Sequence, residues 1–296
     1  MIKNLSISVI TPSFNQGAFI DRTIQSALSQ NITDLEYWII DGESTDETVS
    51  ILEKYKTQQK LNFISEKDHG QAEAVNKGLK RATGDIIGWL NSDDIYYPET
   101  LEIVLDFFEK NPKANIMYGK AVHIDAHNKI LNTYPTCAFD ISFLKEKCIL
   151  CQPAVFFRRT ILKKYGFLDE NLHFCLDYEF WLRLALQGEL FYYCDHAVFA
   201  GSRLHGNCKT VKYRLKAYLE AMHMLKQKLG SVPESWLLRY GYIKAMHIFQ
   251  RKNIFSKICG FFIAYYAQWK WNRTLCSKRF FSTLFKHLND APLLDL

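Results

Sequence analysis

The chain has 296 residues, of which 48% are hydrophobic and 23% charged, and a formal net charge of +6. That balance excludes a disordered, collagen-like or coiled-coil chain, and the length suits one large domain or a domain with a substantial appendage. No stretch approaches the roughly 18–20 apolar residues that span a bilayer. The first residues run into a strand pattern without the marks of a secretory leader, so the expectation is a cytoplasmic protein.

Charge divides the chain in two. Residues 201–296 carry 17 Lys/Arg against 4 Asp/Glu, whereas residues 1–200 carry 20 against 27. An acidic part suits cations and base chemistry; a basic part suits an anionic surface. The eight cysteines are scattered, none before Cys137, and Cys148/Cys151 is a CxxC without a second half. Reduced, mostly buried thiols are expected rather than a zinc ribbon.

The first hundred residues alternate two periodicities. Ser6–Ile10 is β-rich and stops at Thr11-Pro12-Ser13; Ala18–Gln30 places Ile20, Ile24, Ala27 and Leu28 on one helical face. Tyr37–Ile40 is a second strand ending at Asp41-Gly42. Ser44–Tyr55 is a second helix, with Thr45 its expected N-cap. Leu61–Ile64, a helix over Gln71–Ala82, the strand Asp85–Leu90 and a helix over Pro98–Lys110 follow. Such βα alternation predicts a largely parallel sheet. Further on, Tyr178–Leu186 reads as a helix and Leu190–Tyr193 as a strand; after about residue 210 the chain reads as helical, basic and aromatic. The expected domains are therefore residues 1–210 and residues 211–296.

Ligands of parallel sheets gather beyond the carboxyl ends of the strands. There the sequence places Thr11, Ser13, Asn15, Asp41, Glu66, Asp68, His69, Asp93 and Asp94. No GxGxxG and no GxxxxGK[ST] accompanies them, so no glycine-rich turn holds a nucleotide. Asn91-Ser92-Asp93-Asp94 sets two carboxylates side by side at a strand end. Such a pair needs a cation or a donor network, and its oxygens suit Mg²⁺ or Mn²⁺ shared with phosphates. Turn or helix-cap aspartates before Pro98 are the other reading.

Five segments in order, Ile7–Asn15, Ile39–Asp46, Ala74–Gly78, Ala82–Ile86 and Leu90–Asp94, resemble the family 2 glycosyltransferases of the GT-A fold, and Asp177–Arg183 extends the likeness to about residue 205. The resemblance implies an α/β GT-A fold and inverting transfer from a nucleotide-diphosphate sugar, a UDP-sugar foremost, with Mn²⁺ or Mg²⁺. It implies that Pro12 and Phe14 border the base, with Asn15 beside them, and that Asp41 accepts a hydrogen bond from it. Asp93 is the implied metal ligand, with Asp94 supporting it or reaching the donor sugar. Asn91, where Asp is common in the family, implies a ribose or supporting role. Asp177 resembles the base, although Leu176 stands where a Glu is frequent. His205 is placed near the metal or diphosphate, and Arg203 near a phosphate. The loop His69-Gly70-Gln71 faces the nucleotide, and Gln152-Pro153 faces the donor sugar or acceptor, or is a turn into a buried strand.

From Ser235 to Asn289 there is no acidic residue, ten Lys/Arg, and aromatics that include Trp236, Tyr240, Tyr242, Phe249, Phe255, Phe261, Phe262, Tyr265, Tyr266, Trp269, Trp271, Phe280, Phe281 and Phe285. That mixture suits an anionic membrane surface; a packed helical appendage, with room for an oligomer, is the other reading, and a nucleic-acid groove is not expected. The function expected is sugar transfer to a glycan or lipid-linked acceptor, from a peripheral site on a membrane's inner face. The alternative is a non-catalytic scaffold of the same fold. A nucleotidyltransferase fits less well, because its basic phosphate loop is missing.

Overall fold

The computed structural model describes residues 5–206, 208–250, 254–278 and 280; Phe281 and Phe285 lie outside these. The first half of the chain builds β1 (Ile7–Ser13), α1 (Ile20–Leu28), β2 (Leu35–Asp41), α2 (Thr48–Glu53), β3 (Leu61–Ser65), α3 (Gln71–Arg81), β4 (Ile86–Trp89), β5 (Ile95–Tyr96), α4 (Thr100–Lys110), β6 (Ile116–Ile124) and β7 (Ile130–Thr133). Then come α5 (Ile141–Glu146), β8 (Val155–Arg158), α6 (Thr160–Tyr165), α7 (Leu176–Leu186), β9 (Phe191–Arg203), α8 (Lys209–Lys212), α9 (Arg214–Leu229), α10 (Glu234–Phe249) and α11 (Ile254–Asn272).

The chain divides into two compact units. One is Met1–Phe139 with Ile149–His205, and the other is Asp140–Cys148 with Gly206–Leu296. The first unit is a nine-stranded sheet in the order β3-β2-β1-β4-β8-β6-β9-β5, with β7 on β6. As the βα alternation predicts, β3, β2, β1 and β4 are parallel. Beyond β4 the sheet is mixed: β8 runs antiparallel to both β4 and β6, β9 parallel to β6, and β5 antiparallel to β9. The helices cover the sheet with apolar faces: Ile20, Ile24 and Ala27 of α1 and Leu101, Val104 and Phe108 of α4 join Ile7, Val9, Tyr37 and Ile39 in one core.

Element ends differ from the sequence reading in instructive ways. β1 continues through Pro12 to Ser13, because β2 beside it runs on to Asp41 and holds it in register. Thr45 is not the cap of α2. That helix begins at Thr48, and Asp46 accepts from the Thr48 backbone N–H at 3.0 Å. Its carboxylate competes better for orphan N–H groups than a hydroxyl does. All eight cysteines are free thiols.

In the second unit α9, α10 and α11 pack with α5, which the chain inserts from within the first unit. Trp236 Nε1 donates to the Lys145 carbonyl at 3.0 Å, and Arg239 Nη1 to that of Glu146 at 2.8 Å. Trp236, Tyr240 and Tyr242 are buried here, so these aromatics of the basic stretch form a core rather than a surface. The contact between α10 and α11 is made by glycine. A Cβ on Gly241 would lie 2.1 Å from the Gly260 carbonyl oxygen, which only backbone movement could relieve. Gly241→Ala is therefore expected to destabilise the chain by about 1–3 kcal/mol, the cost of overpacking, read as a lower urea midpoint. A wild-type midpoint would remove this close approach.

Candidate active site

The mixed half of the sheet brings distant residues to one edge. β5 pairs with β9 through Ile95↔Gly201, and β9 pairs with β6 through Ile124↔Arg203. The turn before β5 and the end of β9 therefore meet, and Asp93 and Asp94 come to Arg203 and His205 across more than a hundred residues of chain. His205 Nε2 lies 3.0 Å from Asp93 Oδ2, with both side chains partly accessible. The ring of Phe19 packs on His205, centroids 4.7 Å apart.

Asp94 is turned the other way, into the protein. Its Oδ1 accepts from the Arg203 backbone N–H at 2.8 Å and its Oδ2 from Asn91 Nδ2 at 3.3 Å. Burial, with the Asp93 charge next to it, holds the Asp94 carboxyl well above the usual range. Arg203 is only 1% exposed. Its Nε donates to the Asp93 carbonyl at 2.6 Å, Nη1 to the Asp125 carbonyl at 2.5 Å and Nη2 to Asn128 Oδ1 at 2.6 Å. Its guanidinium carbon also sits 5.0 Å from the centre of the Phe19 ring. The resemblance places Arg203 near a phosphate; in the structure its guanidinium faces inward and braces the turn that carries Asp93. The end of a strand predicts an edge position but not the direction of a side chain.

Asn91 Oδ1 accepts from Gln71 Nε2 at 2.9 Å and from Trp89 Nε1 at 3.1 Å. Its oxygen is already doubly engaged, which fits a supporting role rather than metal ligation. Gln71 thus ties the start of α3 to the aspartate turn. Gly70, with φ +141° in a region that favours glycine, precedes it, and a Cβ there would be 3.7 Å from His173 Nδ1. Hence the segment leading to α7 lies beside this loop. His69 projects into solvent, with Nδ1 2.7 Å from Glu73 Oε2.

Asp41 ends β2, fully buried. It accepts from the Ser44 backbone N–H and Oγ at 2.9 and 2.5 Å and from Ser65 Oγ at 2.7 Å. The adjoining loops are stitched together. Asn15, at φ +53°, donates its backbone N–H to Ser44 Oγ at 2.7 Å and accepts from the Thr45 N–H at 2.9 Å. Gln16 and Gly17 donate to Thr48 Oγ1 and Asp46 Oδ2. Pro12 is buried in β1, while Phe14 beyond it is 59% exposed, an aromatic face at the carboxyl edge of the sheet. Gln152 lies in a short 3-10 turn entering β8, buried, with its Nε2 donating to the Trp89 carbonyl. The sequence assigns no site role to Ser44, Ser65, Trp89 or Phe19. Ser65 is legible as a strand-end residue and Ser44 lies within the Ile39–Asp46 segment of the resemblance, whereas nothing in the pattern singles out Phe19.

Asp177 stands in the first turn of α7 rather than before it, since that helix starts at Leu176. Its Oδ1 accepts from the Tyr178 N–H at 2.8 Å. α7 is anchored by Phe180 and Trp181 against Phe157 of β8 and by Arg183, which pairs with Glu179 one turn back at 3.0 Å and donates to the Tyr165 and Phe167 carbonyls. Burial pushes the Asp177 carboxyl up to about 6. Among the described residues no group of three or more His, Cys, Asp or Glu side chains is arranged around one point as a complete metal cage.

Residues 8–166, more than half of the chain, match the profile of Glycosyl transferase family 2, and the chain belongs to that family. It is 34% identical to a chondroitin synthase of Escherichia coli over 184 residues, 62% of this chain but 27% of that one. The chain thus spans about a quarter of that relative's length. An uncharacterised glycosyltransferase of Rickettsia prowazekii is 27% identical over 85% of this chain and 81% of its own. In fold the chain is similar to S. aureus TarS in complex with UDP (TM-score 0.60, 18% identity, covering 82% of this chain and 72% of that one). It is also similar to a mannosyltransferase from Pyrobaculum calidifontis in complex with GDP-Man and Mn²⁺ (TM-score 0.61, 16% identity, 96% and 80%). The fold is therefore GT-A-like, with a helical C-terminal region. Asp177, Arg203 and His205 lie beyond the residues matched to the family.

The raised pKa of Asp177 has a consequence for stability. A buried carboxyl with a folded value near 6 and an unfolded value near 3.9 destabilises the fold as pH rises between those values, and fully above them. Asp177→Asn keeps the acceptor for Tyr178 and removes the charge. Its thermal midpoint should match the wild type near pH 4 and exceed it at pH 8; equal midpoints at both would show that the carboxyl is not desolvated.

Proposed function

We propose that the chain is an inverting glycosyltransferase that moves a sugar from a nucleotide-diphosphate donor, a UDP-sugar first among candidates, to a hydroxyl of a glycan or lipid-linked glycan. The observation that carries this reading is the Asp93–His205 pair at the carboxyl edge of the sheet, held by buried Asp94 and Arg203 in a family 2 chain. Relatives named chondroitin synthase and hyaluronan synthase support an acceptor in polysaccharide synthesis.

A carboxylate oxygen and an imidazole nitrogen suit Mn²⁺ or Mg²⁺ when the remaining positions go to diphosphate oxygens and water. Asp93 and His205 are the residues that would hold the ion. When bound, it would offset negative charge on the departing diphosphate. Phe14 and Asp41 flank the place for the base, with Ser44 and Ser65 fixing the carboxylate of Asp41. Asn91 and Gln71 hold the rim of the sugar site.

Asp177 takes the proton of the acceptor hydroxyl. The hydroxyl oxygen then bonds to the anomeric carbon on the face opposite the diphosphate as the bond to the diphosphate breaks. A base near 6 is ionised at neutral pH yet still accepts a proton readily. Arg203 acts through Asp93 as a positioning residue, not as a phosphate ligand.

Asp93→Ala is expected to lower transfer by two orders of magnitude or more with the fold intact, about the effect of losing one charge-stabilising group. Asp177→Asn is expected to lose a similar factor while still binding nucleoside diphosphate, and wild-type transfer should rise through about pH 6. Turnover and calorimetric titration with UDP, in Mn²⁺, measure both. Asp93→Ala at wild-type turnover would remove the metal assignment. A wild-type chain that neither hydrolyses nor transfers any nucleotide sugar would point to the scaffold reading.

A further inference from the structure

α11 has two apolar faces of opposite kind. The face that packs within the second unit is built from small residues: Ser256, Gly260, Ala264 and Ala267 are buried, and α10 comes close at Gly241. The bulky residues point outward. Phe255, Ile258, Phe262, Tyr265, Tyr266 and Trp269 are exposed, Phe262 to 65% and Trp269 to 52%. At 100° per residue these six fall within a stripe about a quarter of the helix circumference wide. Phe249, exposed at the end of α10, meets Phe255 edge-on at 5.1 Å and lengthens the stripe.

A contiguous exposed stripe of bulky apolar side chains marks an interaction surface rather than an ordinary solvated face. No helix among the described residues is long and apolar enough to cross a membrane. The surrounding charge selects among occupants. The stretch Ser235–Asn289 has ten Lys/Arg and no carboxylate side chain; Lys270, Arg273 and Lys278 are exposed near the end of α11, Arg273 lying over Trp269 at 5.1 Å. A symmetric contact with a second copy would bring like charges together. Apolar and aromatic side chains rimmed by cations complement an anionic lipid surface, where the rings enter the headgroup boundary and the cations stay at the phosphates.

We propose that the outer face of α11, from Phe255 to Trp269, is the membrane-docking surface of this chain, and that it lies flat on anionic bilayers rather than crossing them. The surface is independent of the proposed transferase chemistry, and its test does not use activity. The full chain is floated with vesicles of phosphatidylglycerol and phosphatidylcholine, and with phosphatidylcholine alone, at low and high salt. Wild type should float with the anionic vesicles, less at high salt, and scarcely with the neutral ones. The variant Phe262→Ser/Tyr266→Ser/Trp269→Ser should partition about tenfold more weakly or worse, at both salts. Lys270→Glu/Lys278→Glu should lose about fivefold per charge removed at low salt and little at high salt. An unchanged circular dichroism spectrum shows that the variants are folded. A full chain that stays soluble with anionic vesicles at low salt overturns the proposal, as does a folded serine variant that floats like wild type. Sedimentation is run alongside: a wild-type dimer that the serine variant abolishes, with no flotation, would assign the face to a second copy and overturn it too.

Discussion

Arg203 is a cation with almost no contact with water, and the candidate site depends on how its charge is satisfied. A buried guanidinium left unpaired is costly. Here every part of the fork has an acceptor, two of them backbone carbonyls at Asp93 and Asp125, and its own backbone N–H holds Asp94. The carboxylate of Asp94, protonation-prone through burial, and the accessible carboxylate of Asp93 thus have different tasks. One locks the turn, and the other is free to act. Removing the guanidinium would take the donor from the Asp93 carbonyl and from Asn128 Oδ1 and leave the Asp125 carbonyl with the Asn128 N–H alone, so the damage would spread from the turn into β9.

This division of labour also explains why Asn stands at position 91. A third carboxylate beside two others would need further positive charge. The neutral amide instead donates to Asp94 and accepts from Gln71 and Trp89, joining α3, β4 and the turn without adding charge.

Much of the first half of the fold was legible because a parallel βα sheet writes itself locally. Strands β1 to β4 and their helices each declare their period, and strand ends collect polar residues where such sheets bind ligands. The mixed half was not legible. That β9 joins β6 in parallel and β5 in antiparallel fashion depends on pairings between residues far apart in the chain, such as Ile116 with Phe191 and Ile95 with Gly201, which no local pattern encodes. The site reading divided along the same line. Asp41 and Asp93 could be placed at strand ends, but the inward turn of Arg203 and the ring of Phe19 under His205 follow only from tertiary packing. In the basic stretch, composition grouped all the aromatics together. Only packing separates Trp236 and Tyr242, which build a core, from Phe262 and Trp269, which do not.

The loops after β1 and β2 are joined through Asn15, Gln16 and Gly17 on one side and Ser44, Thr45, Asp46 and Thr48 on the other. Most of these bonds pair a backbone N–H with a side-chain oxygen, so each loop supplies what the other lacks. Energetic coupling follows: losses at Asn15 and Ser44, or at Gly17 and Asp46, will not add as independent terms. Sequence change at this rim is therefore constrained in pairs, and a substitution tolerated in one loop will depend on which residue the other already carries.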